Sequence, residues 1–302
     1  MTFNIALISD DPGWHGARLQ AAFAERDCEL VVVSLADCGL AAGDARPGPI
    51  LPGFEHRLPD GVFVRGISGG TLEEVILRLD VLHGLQLLGV PVYNSGRAIE
   101  RSVDKGMTSL LLSRAGVRTP PTWVVANPDL ARDILRRECA AGHQLVMKPL
   151  FGSQGKGVVR VGGTDDLPDV AAYNGVYYMQ RYIEGCGYDW RVFVINGRAV
   201  AAMKRHGGGW IHNVAQGARC STERAEGELA AIAEAAVAAL EMDYAGVDLV
   251  LDETGAFSVL EVNGIPAWKG LQETTETDMA HALVDDFCSR YLLNGGLRVI
   301  SA

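Results

Sequence analysis

Short apolar runs alternate along this chain with stretches in which apolar positions recur every three or four residues. The first pattern predicts buried strands, the second amphipathic helices. NIALISD (4–10) is a buried run, HGARLQAAFAERD (15–27) follows with an apolar helical face, and CELVVVSL (28–35) is a second run. Strand, helix, strand in that order predicts a parallel sheet with crossover helices. GVFVRGI (61–67), the long helical stretch 71–89 and PVYN (91–94) continue the pattern. The Gly- and Pro-rich stretch 39–53 predicts a loop. Residues 95–116 read as helical up to Gly116, and VRTPPTWVV (117–125) as an extended connection stiffened by Pro120-Pro121.

The middle of the chain changes character. A helix near 128–141 leads into HQLVMKPL, a glycine-rich loop and GVVRV, and then into GVYYMQRYI (175–183), DWRVFVIN (189–196) and RAVAAMKRH (198–206). Asn196-Gly197 between the last two predicts a hairpin, so this section reads as antiparallel sheet with helices. An alanine-rich helix is expected at about 223–241. Two strands, YAGVDLVL and AFSVLEVN, flank the turn Asp252-Glu253-Thr254-Gly255, and a final helix covers about 274–292. The fold class is therefore α/β in the first part and α+β afterwards. The expected divisions are 1–95, 96–180 and 181–302.

At 302 residues, with 48% hydrophobic and 21% charged residues, the chain is long enough for two or three lobes with real cores. Its net charge of −10 gives it little reason to bind nucleic acid or an anionic membrane. Cys28, Cys38, Cys139, Cys186, Cys220 and Cys288 are scattered without a C-x-x-C pair, as expected of reduced packing thiols in a cytoplasmic protein. The start of the sequence has no basic region and only a short apolar run, so no signal peptide is expected. No stretch approaches the roughly 18 uncharged apolar residues of a membrane span.

Four segments carry candidate chemistry. In SVLEVNGIPAWKG (258–270), Glu261 and Asn263 are two apart and share a strand face. Folding GVDLVL back through the turn brings Asp248 roughly opposite Glu261. Three oxygen ligands then converge as a hard divalent cation requires, unless they are ordinary polar positions on an exposed face. In LVMKPLFGSQGKGVV, Lys148 ends an apolar strand before Gly152, Ser153, Gln154, Gly155, Lys156 and Gly157. Such a loop can turn backbone N–H groups toward a polyphosphate, or can be a surface hairpin. It fits neither the Walker A frame nor the dinucleotide fingerprint. In MQRYIEGCGYDWRVFV, the run Gln180, Arg181, Tyr182, Ile183 can offer backbone hydrogen bonds to a base edge. Glu184 and Asp189 can reach ribose hydroxyls, and Asp189 and Arg191 share a strand face, where a surface ion pair is the plain alternative. In MKRHGGGWIHNVAQGA, Lys204 and Arg205 stand beside a glycine loop followed by Asn213, suiting developing negative charge or a simple hairpin.

The order of these elements, from Lys105 through Lys148 and its loop, the 180–183 run, D-x-R at 189–191, Asn213 and Asp248 to E-x-N at 261–263, resembles the ATP-grasp superfamily. DKGMTSLLLSRAGVRTPPT, KPLFGSQGKGV and LEVNGIP resemble its RimK-type α-L-glutamate ligases, over nearly the whole chain. The resemblance implies a parallel-sheet pre-ATP-grasp domain followed by a two-lobed ATP-grasp domain. It also implies ATP and Mg²⁺ (or Mn²⁺) as cofactors, and amide formation through an acylphosphate. By that resemblance Lys105 and Lys148 hold phosphates, residues 152–158 form a lid, 180–183 meet adenine and Asp189 ribose. Asp248, Glu261 and Asn263 hold the metal, with Lys204, Arg205, Arg191 and Asn213 near the reacting groups.

Two departures stand out. RimK-type ligases usually carry an arginine two residues before Asn213, where this chain has Ile211, and tend to have Pro-Gly after E-x-N, where it has Pro266-Ala267. NGIPAWKGLQ and VRGISGGTLEEVILRL look closer to the subgroup associated with tetrahydromethanopterin- and methanofuran-type cofactors. The implied partners are a small carboxylate acceptor and an amino acid, expected to be glutamate, in a homo-oligomer. The alternatives are a ligase acting on a protein C-terminus, a glutathione-type ligase and a non-catalytic ATP-binding protein. RGISGG (65–70), after a strand, is either an acceptor-recognition loop or a structural βα turn.

Overall fold

The computed structural model describes residues 2–43, 47–152, 155–163, 167–210, 217–252 and 254–293. Contacts divide the chain into two compact units. One gathers residues up to Glu100 with Met242–Ala245 and everything from Gly264 onward; the other holds Arg101–Glu241 and Gly246–Asn263.

In the first unit, β1 (Phe3–Ile8), α1 (Gly13–Ala24) and β2 (Cys28–Val33) form the expected β-α-β crossover. The 39–53 stretch is not wholly loop: β3 (Gly39–Ala41) and β4 (Gly48–Ile50) pair as a small antiparallel ladder. β5 (Gly61–Val64), α2 (Leu72–Leu87) and β6 (Val92–Tyr93) complete a parallel sheet of order β2-β1-β5-β6. β1 is central, and Ile5, Ala6, Leu7 and Ile8 are fully buried, which explains their unbroken apolar run. A capping box between Thr71 and Glu74 starts α2, whose Val81, Leu82 and Leu85 face the core.

The helix expected over 95–116, which includes the end of the first unit's stretch and the start of the second's, is corrected by the structure. Residues 95–116 are two helices, α3 (Gly96–Val103) and α4 (Lys105–Arg114). Asp104 breaks the run because its Oδ1 accepts from the N–H groups of Gly106 and Met107, 2.8 and 3.0 Å away, and so caps a new helix. The expected connection 117–125 ends in a strand, β7 (Thr122–Val125). It forms a small sheet with β8 (Leu145–Lys148), β9 (Val159–Val161) and β10 (Tyr177–Arg181), in the order β7-β10-β8-β9. α5 (Pro128–Ala140) covers one face through Ala131, Ile134 and Leu135.

The larger sheet contains β11 (Tyr188–Ile195), β12 (Arg198–His206), β13 (Arg219–Glu223), β14 (Tyr244–Leu251) and β15 (Phe257–Asn263), in the order β13-β12-β11-β14-β15. Asn196 and Gly197 both take positive φ, the requirement of the tight hairpin that their sequence predicts. β13 occupies the start of the stretch read as helix 223–241, so α6 runs only Gly227–Ala239. Its Ala230, Ala233 and Ala236 are buried, small enough to let the helix lie close on its sheet.

The last segment rejoins the first unit. α7 (Lys269–Gln272) is short, and α8 (Met279–Phe287) starts later than the expected 274 because Asp278 caps it. Phe287 meets Phe23 and Phe63 at ring-centroid distances of 5.5 and 5.9 Å. Gly61 leaves the space: a Cβ there would stand 2.6 Å from Phe287 Cζ. Buried Asn94 binds the segment's neighbours with its whole amide. Nδ2 donates to the carbonyls of Tyr244 and Gly264, at 2.7 and 2.8 Å, and Oδ1 accepts from Asp243 and Tyr244 N–H.

Among the described residues no helix is long and apolar enough to cross a membrane.

Candidate active site

Residues of both sheets of the second unit line a cavity of about 360 Å³, within the range of small-molecule sites. One wall is built from α4, β8, β10 and the glycine loop, the other from β11, β12, β14 and β15.

On the first wall, Lys148 ends β8 and points its amine at the Gln180 side chain, Nζ to Oε1 2.8 Å. Gln180 is itself held: its Nε2 donates to Thr122 Oγ1 at 3.2 Å and to the Tyr178 hydroxyl at 3.0 Å. Tyr178 and Ser109 hydroxyls are 3.0 Å apart, and Ser109 donates to the Lys105 carbonyl at 2.9 Å. A polar relay thus fixes both lysines. Tyr178 and Ser109 escaped the sequence reading. The signal for Tyr178 was there, since it is two residues before Gln180 and shares its face.

Lys105 Nζ donates to the Gly152 carbonyl at 2.7 Å and lies 4.0 Å from Glu261 Oε1. Burial lowers the pKa of both amines, and Glu261 pulls each back only in part. Among the described residues, no carboxylate forms an ion pair with Lys148. Gly152, Gly155 and Lys156 line the cavity. Gly155 and Gly157 sit at φ +71°, and a Cβ on Gly157 would stand 3.0 Å from Pro149, so the loop's path needs glycine. Ser153 and Gln154 lie outside the described residues.

In the 180–183 run the side chains do not all serve the cavity. Arg181 is turned to buried Glu138, with Nη2 to Oε2 2.7 Å. The N–H groups of Arg181 and Tyr182 donate to the carbonyls of Pro121 and Gln144, each at 2.8 Å. The Ile183 N–H has no backbone partner among the described residues. Tyr182 packs edge-on against Trp210 at 6.0 Å.

The second wall is a cluster of arginines and aspartates. Asp189 and Arg205 are direct cross-strand neighbours, joined by two hydrogen bonds of 2.7 and 2.8 Å. Arg191 is joined in the same two-pronged way to Asp248, at 2.6 and 2.7 Å, and Arg205 also reaches Asp248 Oδ2 at 3.0 Å. For Asp248, burial pushes the pKa up but the two guanidiniums outweigh it and hold it below the ordinary value. For Arg205, burial pulls down and the two carboxylates more than offset it. Burial pushes Asp189 up to about 6 against the pull of Arg205.

Lys204 belongs elsewhere. Strand alternation turns it to the opposite face, where it pairs with Glu223 at 2.7 Å and lies over the Tyr188 and Trp190 rings. Of the two adjacent basic residues at the end of β12, Arg205 lines the cavity.

Asp248 pairs with Glu261, as the hairpin reading expects, but through a bulge. Strict counting from Leu251–Phe257 reaches Leu260. The register shifts between Asp248 and Leu249, and the extra residue brings Glu261 into place. Leu260 and Glu261 both line the cavity as a result. The Glu261 carboxylate accepts no hydrogen bond among the described residues. Asn263, two residues on, pairs across to Gly246. Among the described residues, no group of three or more His, Cys, Asp or Glu could hold a metal. Asp248, Glu261 and Asn263 bring two carboxylates and an amide, a different donor set. Ile211 and Asn213 lie outside the described residues.

Comparison with known proteins shows the family and the fold. A RimK-like ATP-grasp domain model matches residues 102–287. A tetrahydromethanopterin:alpha-L-glutamate ligase of Methanococcus maripaludis is 35% identical, covering 93% of this chain and 97% of its own. A protein of the same name from Methanosarcina acetivorans is 31% identical over 87% of this chain and 92% of its own. A probable alpha-L-glutamate ligase of Hydrogenovibrio crunogenus is 32% identical over 93% of both. Among solved structures, the ATP-grasp ligase PsnB with its minimal precursor superimposes with a TM-score of 0.74 at 20% identity. It covers 96% of this chain and 99% of its own, a likeness of fold. The chain belongs to the RimK-like ATP-grasp family of ATP-dependent carboxylate–amine ligases.

Proposed function

We propose that this enzyme joins L-glutamate to a carboxylate of a pterin-type one-carbon cofactor, using ATP and Mg²⁺. The acceptor and amine in this reading come from the 35% identical tetrahydromethanopterin:alpha-L-glutamate ligase, which matches almost end to end.

One observation in the cavity carries the reaction class. Two lysine amines with pKa lowered by burial stand beside Glu261, a carboxylate that accepts no hydrogen bond among the described residues. A cation short of counter-charge is costly in a protein interior, and a polyphosphate relieves that cost. A carboxylate with its lone pairs open suits a hard cation. The residues therefore fit ATP and Mg²⁺.

In this assignment Lys105 and Lys148 hold phosphate oxygens and the loop through Gly152, Gly155, Lys156 and Gly157, with Ser153 and Gln154, covers them. The Ile183 N–H and its neighbours from Gln180 meet the adenine edge. Asp189 takes ribose with the lone pairs that Arg205 leaves. Glu261 and Asn263 are the main metal ligands. Asp248 has spent three of its about four lone-pair sites on guanidinium N–H groups, so it contributes the remaining one. Mg²⁺ when bound neutralises charge on the phosphoryl group in transfer. Arg205, Arg191 and Asn213 stabilise charge near the reacting carboxylate. Phosphoryl transfer asks mainly for positioning and charge neutralisation, so no nucleophilic Ser, Cys or His is required. Of the expected divisions, 1–95 serves acceptor recognition, 96–180 supplies the lid, and 181–302 supplies the metal ligands from its strands up to Asn263. A cytoplasmic homo-oligomer without nucleic-acid or membrane partners completes the reading.

The test is incubation with ATP, Mg²⁺, glutamate and tetrahydromethanopterin, followed by mass spectrometry. The expected product is the acceptor plus one glutamyl residue, with ADP release requiring both co-substrates. Glu261→Ala is expected to lose turnover by about 10²-fold or more. Normal ligation by that variant sinks the metal assignment. ADP release indifferent to both co-substrates sinks the ligase reading.

A further inference from the structure

In the first unit's sheet, β1 is flanked by β2 on one side and β5 on the other, so the chain reverses its direction of winding between β1 and β5. In open parallel sheets, ligands bind outside the carboxyl ends of the strands at such a reversal. The residue at that point is Arg65. It follows β5 directly, and its backbone N–H donates to the carbonyl of Ile8, the last residue of β1, at 2.8 Å.

Arg65 differs from the other sheltered arginines. Every other arginine that is not exposed, among the described residues, has a carboxylate in ion-pair contact. Arg78 has Glu74, Arg101 has Glu241, Arg181 has Glu138 and Arg290 has Asp243, and the rest are likewise paired. Arg65 is only partly accessible and has none. Its Nη1 donates to the Pro266 carbonyl at 3.0 Å, and its guanidinium lies 4.6 Å over the Trp268 ring. The Tyr244 hydroxyl is its other polar neighbour, and burial lowers its pKa. These contacts orient the guanidinium without neutralising it, and leave most of its five N–H donors.

The surroundings are positive as well. His15, whose Nε2 accepts from the backbone N–H of Trp268 at 3.1 Å, is pushed down to about 4 by burial and by the charges of Arg65 and Lys269. Asp10, which follows β1, is committed to the Ser34 and Ser68 hydroxyls. A sheltered guanidinium without a counter-ion is costly, and a bound anion relieves it.

We propose that Arg65 at the β1/β5 reversal is a carboxylate-binding residue that holds the acceptor. The proposal rests on the ligase reading above. A carboxylate gripped by a guanidinium is stabilised as the anion and made less nucleophilic. Arg65 therefore suits an acceptor carboxylate that is held in place, not the one that reacts. The same chemistry could serve a carboxylate of the incoming amino acid, and the experiment separates the two.

Steady-state kinetics of the full chain, Arg65→Gln and Arg65→Lys would be measured with tetrahydromethanopterin and glutamate varied in turn, beside melting temperatures. R65Q is expected to raise the acceptor KM about thirtyfold or more, with R65K intermediate and kcat little changed. A rise confined to the glutamate KM moves the site to the amino acid and overturns the acceptor assignment. No rise in either overturns the site. Independently of turnover, glutarate as a plain dicarboxylate should raise the melting temperature of the parent and not of R65Q. Equal stabilisation of both, or of neither, overturns the site even if the parent ligates nothing. A parent that responds to glutarate but makes no glutamyl product leaves Arg65 standing and removes the pterin reading.

Discussion

The two walls of the ATP-grasp cavity both carry positive charge, and they treat it in opposite ways. On the β11–β12–β14 wall, Arg191 and Arg205 are matched against Asp189 and Asp248 in two-pronged pairs. On the other wall, Lys105 and Lys148 have between them, among the described residues, one ion-pair carboxylate, Glu261, 4.0 Å from the first. The arginine wall is matched by its own carboxylates, whereas in the proposed function a ligand completes the lysine wall. A guanidinium suits the first because its planar fork fixes a carboxylate in one geometry. A lysine amine suits the second because it is a compact charge that can meet any phosphate oxygen.

Breaking the arginine wall should cost the fold most. Arg205→Met strands buried Asp189 and leaves Asp248 with Arg191 alone, and urea unfolding is expected to show a loss of about 3–5 kcal/mol. A loss below about 1 kcal/mol would mean that the cluster contributes little to the sheet.

The lysine wall should answer with activity instead. Lys148→Met is expected to lower kcat/KM about 10²–10³-fold while the free protein becomes no less stable. The sign with pH follows from the lowered pKa. The native state sheds the Lys148 proton more readily than the unfolded chain, so its relative stability rises with pH toward the ordinary lysine value of about 10.4. Any stability advantage of K148M over the parent should therefore shrink as pH is raised through that window. A constant difference would show that the amine is not under strain from burial.

The smallest effect is expected one residue from the largest. Lys204→Ala removes a partly exposed pair with Glu223 on the opposite face, with a cost of about 0–1 kcal/mol and turnover unchanged. A marked loss of turnover would contradict the division of the strand into two faces.

The contrast was partly legible in the sequence. Lys148 with its glycine loop, and Asp248 near Glu261, follow from local pattern and hairpin logic. Choosing between Lys204 and Arg205 required the register of β12 against β11, which pairs Arg205 with Asp189. The bulge at Leu260 has no local marker, because neighbouring strands decide it. The break at Asp104 could have been read, since an aspartate before Lys-Gly inside a helical run is a capping signal. The pairing of Arg191 with Asp248 spans 57 residues and two strands, beyond the reach of any periodicity. The same holds for Arg65, whose lack of a carboxylate partner among the described residues is a property of the folded surroundings.

Asn94 has a consequence for the timing of synthesis. Its amide group closes on Tyr244 and Gly264, 150 and 170 residues further along the chain. At about 5–20 residues per second, a ribosome needs roughly ten to thirty seconds to supply the second partner. The parallel sheet is made first and waits, with the surface later covered by Phe287 still open. Nascent chains of this protein should therefore lean on chaperones early and release them late, when the last helix arrives.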